Sequence, residues 1–151
     1  MEGKGAKAVD VEQFKTGMRS LAGAVNIITT AHAGHSYGMT ATAVCSATAD
    51  PPTVLICLNK LATTHGAVLK SKVFCVNVLR VEDWELSTHF SGAQTGEGRF
   101  KSRHWSKLAT GSPVLVGKKG KPLLYSEGQY AKLASLTLGE PLPEGLDYWG
   151  F

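Results

Sequence analysis

The sequence predicts one mainly β domain with short helices, its strands forming a closed or nearly closed antiparallel barrel. Strand-like runs recur through the first half, at Ala24–Ala31, Gly38–Pro52, Thr53–Asn59 and Val73–Leu79, parted by turn residues. The segments between them have room only for short helices, and 151 residues at 43% hydrophobic content suit one core of ordinary size.

In chain order, Asp10 is placed to cap a first helix, with Gln13 three residues later completing a capping box. Val11, Phe14, Met18, Leu21 and Ala22 follow at helical spacing, which predicts one buried face, and Gly23 closes the helix. AVNIITTA, Ala24 to Ala31, is β-branched and alternating; with the turn-rich HAGHSYG and the stretch after it, it reads as an antiparallel hairpin. Pro51 and Pro52 end that second strand, because neither can donate to a ladder. TVLICLN, Thr53 to Asn59, is a continuous apolar run of the kind buried on both faces. Ala62 to Lys70 reads as a short helix and VFCVNVL, Val73 to Leu79, as a further strand. Glu82, Asp83 and Glu85 mark a helix start, where the macrodipole favours acidic residues.

Composition narrows the function classes. A net charge of +4 comes mainly from scattered lysines, with one run at Lys118, Lys119 and Lys121. That balance favours small anionic ligands over a nucleic-acid track, which needs a denser stripe of Lys and Arg interleaved with aromatics. Cys45, Cys57 and Cys75 fall in apolar or small-residue segments without Cys-x-x-Cys spacing, so they read as buried free thiols in a reducing compartment and not as a disulfide frame or zinc site. No signal-peptide core and no membrane-length apolar stretch is present, which makes a soluble cytoplasmic protein the expectation. The five histidines form no motif with serine, cysteine or carboxylate, and neither a Gly-x-Gly-x-x-Gly fingerprint nor a Walker loop occurs.

The unusual feature is GMTATAVCSATADPP, Gly38 to Pro52, a strand built from small residues where a core strand wants bulk. Thr40, Thr42 and Ser46, then Asn59, Thr63 and Thr64, concentrate polar groups at strand ends. Small side chains let a flat ligand approach the backbone, and hydroxyls with a nearby cation serve a phosphate. On spacing alone, edge-strand polarity with a helix cap at Thr63 or Thr64 explains the same residues equally well.

Several separated blocks then occur in one order: GMTATAVCSATADPPTVLICLNKLATTH, VFCVNVL, GRF at Gly98–Phe100, TGSPVL at Thr110–Leu115 and PLLYSEGQYAKL at Pro122–Leu133. Together they closely resemble the short-chain flavin reductases, the reductase partners of two-component flavin monooxygenases. The resemblance implies a single flavin-reductase-like domain over 1–151, with 1–9 disordered and 137–151 a C-terminal tail. It implies a split β-barrel of FMN-binding type and a cytoplasmic homodimer that binds FMN or FAD and reduces it with NADH or NADPH. Hydride would pass from nicotinamide to flavin N5, the cofactors carrying the chemistry, so that no catalytic side chain and no metal is implied. Thr40, Ala41, Thr42, Ala43, Val44, Cys45 and Ser46 match the block that lies along the flavin ring and ribityl chain. Asn59, Lys60, Thr63, Thr64 and His65 match the block that completes the site with hydroxyls toward the phosphate. Arg99 and Phe100 match the Arg-Phe pair that family members place near the flavin tail, often across the dimer.

One departure stands out. Where the family inserts two strands carrying a Gly-Asp-His-like motif whose histidine meets the nicotinamide nucleotide, this chain has only VGKKGK, Val116 to Lys121. The fold would be shortened by two strands, through a natural deletion, an engineered one, or a segment missing from the sequence as it stands. The strands beside the gap would then need other partners. A non-catalytic flavin-binding protein is the alternative reading, and a haem- or pyridoxal-phosphate-binding split barrel a third.

Overall fold

A computed structural model describes residues 9–50, 52–93, 96–107 and 109–116, together with the backbone of a strand at 124–129. The frame is a four-stranded antiparallel sheet. Its strands are β1 (Asn26–His32), β2 (His35–Ala41), β5 (Val73–Val78) and β8 (Leu124–Gln129), in the order β2-β1-β5-β8. β3 (Val44–Ala49) pairs with β4 (Pro52–Ile56), and β6 (Trp105–Lys107) with β7 (Pro113–Leu115), as separate two-stranded sheets. Three α-helices, α1 (Val11–Arg19), α2 (Thr63–Ser71) and α3 (Trp84–Thr88), and short helical turns at Val81–Asp83, His89–Ala93 and Gly96–Phe100 complete the described elements. The protein is thus mainly β with short helices, and the described sheets do not close on one another.

β1 and β2 form the expected hairpin, with Asn26 opposite Ala41 and His32 opposite His35. Ala33 and Gly34 make its two-residue turn, both at positive φ (51° and 83°), the backbone whose twist matches the flanking strands. Five consecutive β1 residues, Asn26 to Thr30, are buried, so this strand is covered on both faces instead of alternating. Ile28 joins Ala41, Ile56, Val68, Phe74 and Val76 in a cluster beneath α2, and Ile27 joins Leu86, Phe90 and Leu115 in a second cluster.

On the side of the second cluster lies a buried polar stitch. The Asn77 side-chain amide donates to the Ile27 carbonyl and the Thr29 hydroxyl, both at 3.1 Å, and its oxygen accepts the Leu115 N–H at 2.8 Å. The Thr29 hydroxyl in turn donates to the Pro113 carbonyl. β7, which pairs along its length only with β6 among the described residues, is thereby fastened to the main sheet by side chains. At the start of α3, Asp83 is buried between Arg80 and Arg103, at 3.7 and 3.6 Å, and ties that helix to the segment after Phe100.

Several expectations need correction. α1 forms with its capping box at Asp10 and Gln13, but it ends at Arg19, before Gly23, and none of its residues is buried. Its apolar face is largely open: Val11 and Phe14 are 66% and 56% exposed, and Met18 and Leu21 49% and 68%. The small-residue stretch is two strands, not one, broken at Thr42 and Ala43, where the chain leaves β2 for β3. The run Thr53–Asn59 is not buried on both faces; β4 ends at Ile56, its only buried residue, because a two-stranded sheet offers no layer to cover it. Cys45 and Cys57 are exposed for the same reason, and only Cys75, in the doubly covered β5, is buried. β8, which follows the shortened interval, pairs with β5 from Val73 opposite Gln129 to Val78 opposite Leu124. The Lys118–Lys121 run and the tail 137–151 lie outside the described residues, as do 1–8 of the expected disordered terminus.

Replacing Asn77 by Ala strands the Leu115 N–H in the interior and leaves the Thr29–Pro113 bond to tie β7 to β1. The expected loss is about 2–4 kcal/mol of stability, read from the midpoint of urea unfolding.

Candidate flavin-binding site

Two of the expected site residues converge on one cavity. Thr63, in the first turn of α2, and Arg99, at the end of a short helical turn over Gly96–Phe100, both line a space of about 340 Å³. His35, Ser36, Tyr37 and Gly38 of β2 form another wall, and Gly96 and Glu97 the rim.

The Arg99 guanidinium is held from two sides. Its Nη1 donates to the Gly38 carbonyl at 2.6 Å, and its carbon stands 5.6 Å from the centre of the Phe90 ring. Burial lowers its pKa from the ordinary guanidinium value, which starts so high that the group stays charged at neutral pH. The α2 terminus adds to this charge. Its N-cap is Ala62, extended at φ −75° and ψ 137°, and no side chain caps the first turn. The positive end of the helix dipole is therefore left for another acceptor. Asn59 builds the approach: its side-chain oxygen takes the Leu61 N–H and its carbonyl the Ala62 N–H, both at 2.9 Å. Glu97 is the one acid lining this cavity among the described residues, and its charge is engaged at the β1–β2 turn, where Oε1 accepts the Ser36 N–H and faces His35 Nδ1, each at 3.3 Å.

The other expected residues are placed as follows. Thr40 and Ala41 end β2; Thr40 spends its hydroxyl on the Ser87 carbonyl at 2.6 Å, and Ala41 is buried in the core. Thr42, Ala43, Cys45 and Ser46 are exposed on the link to β3 and along it, with Val44 half-buried. Asn59 and Lys60 are exposed in the turn before α2, while Thr64 and His65 are buried within it. Phe100 packs edge-on against Phe90 and Trp105, at centroid separations of 5.0 and 5.1 Å, and lines a different cavity with Arg103, His104 and Lys107. None of the residues 40–46 lines the Arg99 cavity. Sequence reading missed Tyr37, Ser36 and Glu97 altogether. The first two sat in what read as turn, and Glu97 comes within reach only through a contact with His35 and Ser36 some sixty positions earlier.

This donor set suits a phosphate: a fixed guanidinium, a hydroxyl and an uncapped helix start. Residues 18–123 match the family model of the flavin reductase like domain. The chain belongs to that family.

Within it, the chain is 46% identical over 109 residues to FMN reductase (NADH) RutF of Pantoea ananatis, an alignment covering 72% of this chain and 57% of that relative. A Haemophilus somnus structure described as a candidate flavin reductase superposes with a TM-score of 0.79 at 37% identity, covering 85% of this chain and 80% of that one. Nitrilotriacetate monooxygenase component B from Mycobacterium thermoresistibile superposes at 0.72 with 26% identity, covering 80% and 64%. The chain spans about three fifths of the length of the curated relatives it matches, 57% of the Pantoea protein and 60% of its Yersinia enterocolitica counterpart. Among the described residues no helix is long and apolar enough to cross a membrane, and no group of three His, Cys, Asp or Glu is arranged for a metal ion.

Thr40→Val removes one buried hydroxyl bond and keeps the main chain of β2. Stability should fall by about 1 kcal/mol in a denaturant titration, with flavin affinity changed less than twofold.

Proposed function

We propose that the protein is an NAD(P)H-dependent flavin reductase that supplies reduced FMN or FAD to a partner monooxygenase, on the frame of a split β-barrel. The observation that carries this reading is the meeting of Arg99 and Thr63 at the uncapped start of α2, in a chain of the flavin reductase family. The names of the relatives speak for FMN and NADH as the working pair, and the superposed monooxygenase component for the destination of the reduced flavin.

Each part of the chain has a defined task in such a reaction. Arg99, with Thr63 and the first amides of α2, holds the phosphate-bearing tail, and Thr42 and Ser46 offer hydroxyls to the ribityl chain. The small residues Ala41, Ala43 and Cys45 leave the main chain accessible to the ring, Asn59 and Lys60 flank its entry, and Thr64 and His65 brace the helix start from within. Flavin and nicotinamide supply the chemistry between them, a hydride passing from nicotinamide to flavin N5, so the protein needs to bind, orient and exclude water.

A homodimer in the cytoplasm belongs to the same reading. β3 carries Cys45 and Ser46 with no layer over it, so a ring lying there has one wall from this chain and needs its second from another copy. The exposed Val54 and Leu55 of β4 and the uncovered face of α1 are the apolar surface such a copy would take up. A flavin-binding protein without turnover is the second reading, favoured by the absence of a Gly-Asp-His motif from the whole chain.

Mixing the protein with FMN and excess NADH under anaerobic conditions decides between them. The reductase bleaches the oxidised flavin band far faster than the protein-free mixture, whereas tight binding without bleaching leaves only the carrier. Thr42→Val and Ser46→Ala should each raise the flavin dissociation constant about fivefold with little change in melting temperature, as loss of one hydrogen bond at an exposed position requires. Light scattering should give twice the chain mass for the wild type, and the single mass for Phe14→Glu with Met18→Glu; a monomeric wild type sinks the dimer.

A further inference from the structure

We propose that Phe90, seated on Gly38, is a positioning residue for ligand binding: it presets the Arg99 guanidinium for the anionic tail of the flavin. The inference rests on the flavin-binding reading and adds to it a residue that resemblance did not single out.

Phe90 is 2% exposed and lies in the segment after α3, nine residues before Arg99 and far in sequence from Gly38. A β-carbon at Gly38 would stand 2.6 Å from Phe90 Cε1, 2.9 Å from Cδ1 and 3.3 Å from Phe100 Cζ, so the ring touches bare backbone. The carbonyl of that same glycine accepts Arg99 Nη1, and the guanidinium carbon lies 5.6 Å from the ring centre. Ring and carbonyl restrain the guanidinium at two different points. Phe90 is itself fixed by Phe100 at 5.0 Å, nearly perpendicular at 87°, and by Trp105 at 5.6 Å. A free arginine loses much rotamer freedom when it takes a phosphate, and one already held in place loses little. Attraction between the cation and the ring face, strengthened by partial burial, supplies the hold. Glycine at position 38 is the condition for the arrangement, since any larger residue pushes the ring off its seat.

The test is a double-mutant cycle on the full chain, with FMN affinity read by fluorescence quenching across a series of salt concentrations. Phe90→Leu keeps apolar volume and removes the ring; Phe90→Met serves in its place if that variant fails to fold. In the wild-type background the change should raise the FMN dissociation constant about threefold to twentyfold and flatten its dependence on salt. In an Arg99→Ala background it should change the constant less than twofold, although the melting temperature drops equally in both. Equal loss of affinity in both backgrounds would make Phe90 a packing residue and overturn the proposal alone. FMN binding that is absent in the wild type, or unaffected by Arg99→Ala, overturns the flavin reading at this cavity and the proposal with it.

Discussion

The side chain of Asn77 is the constraint on which the rest of this structure hangs. β7 is three residues long and shares a ladder only with β6 among the described residues, so backbone pairing cannot anchor it to the main sheet. One buried amide replaces that pairing, bonding to β1 on one side and to Leu115 on the other. A buried polar group with every partner in place rigidifies what surrounds it, and the same group half-satisfied would be a liability. With β7 fastened, β6 is held beside it and presents Trp105 to Phe90 and Phe100. The aromatic wedge then supports Arg99, and the chain of restraint runs unbroken from an interior amide to the rim of the cavity.

The cavity owes its chemistry to two features that act together. A helix whose cap is an alanine has no side-chain acceptor at its first turn, and Arg99, held by a carbonyl and a ring, lines the same cavity as Thr63. Either alone is common in proteins that bind nothing there. Side by side, with Glu97 bonded to His35 and Ser36, they are the donor set on which the proposed hold on an anion rests.

Much of this was legible in the sequence. The capping box at Asp10, the hairpin that begins at Ala24, the strand at Val73 and the helix after Ala62 all follow from local rules. What escaped depended on neighbours. The apolar stripe of α1 and the run Thr53–Asn59 have the pattern of buried faces, yet burial is a property of what packs against them: no residue of α1 is buried, and within β4 only Ile56 is. β1 looked alternating because Thr29 and Thr30 are polar by composition; both are fully buried, with hydroxyls that find carbonyls in Pro113 and Val73. Tyr37 and Glu97 carried no local signal, since their place in the site is set by the hairpin register and by contacts that span sixty residues.

The contact between Gly38 and Phe90 also bears on how this chain can change over time. Backbone and ring occupy the same small volume, so the two positions cannot drift independently. A substitution that adds a β-carbon at 38 is tolerable only after the ring at 90 has shrunk, and the smaller residue must come first because the reverse order passes through a clash. Positions 52 residues apart are thus bound into a single heritable unit, with one permitted order of change.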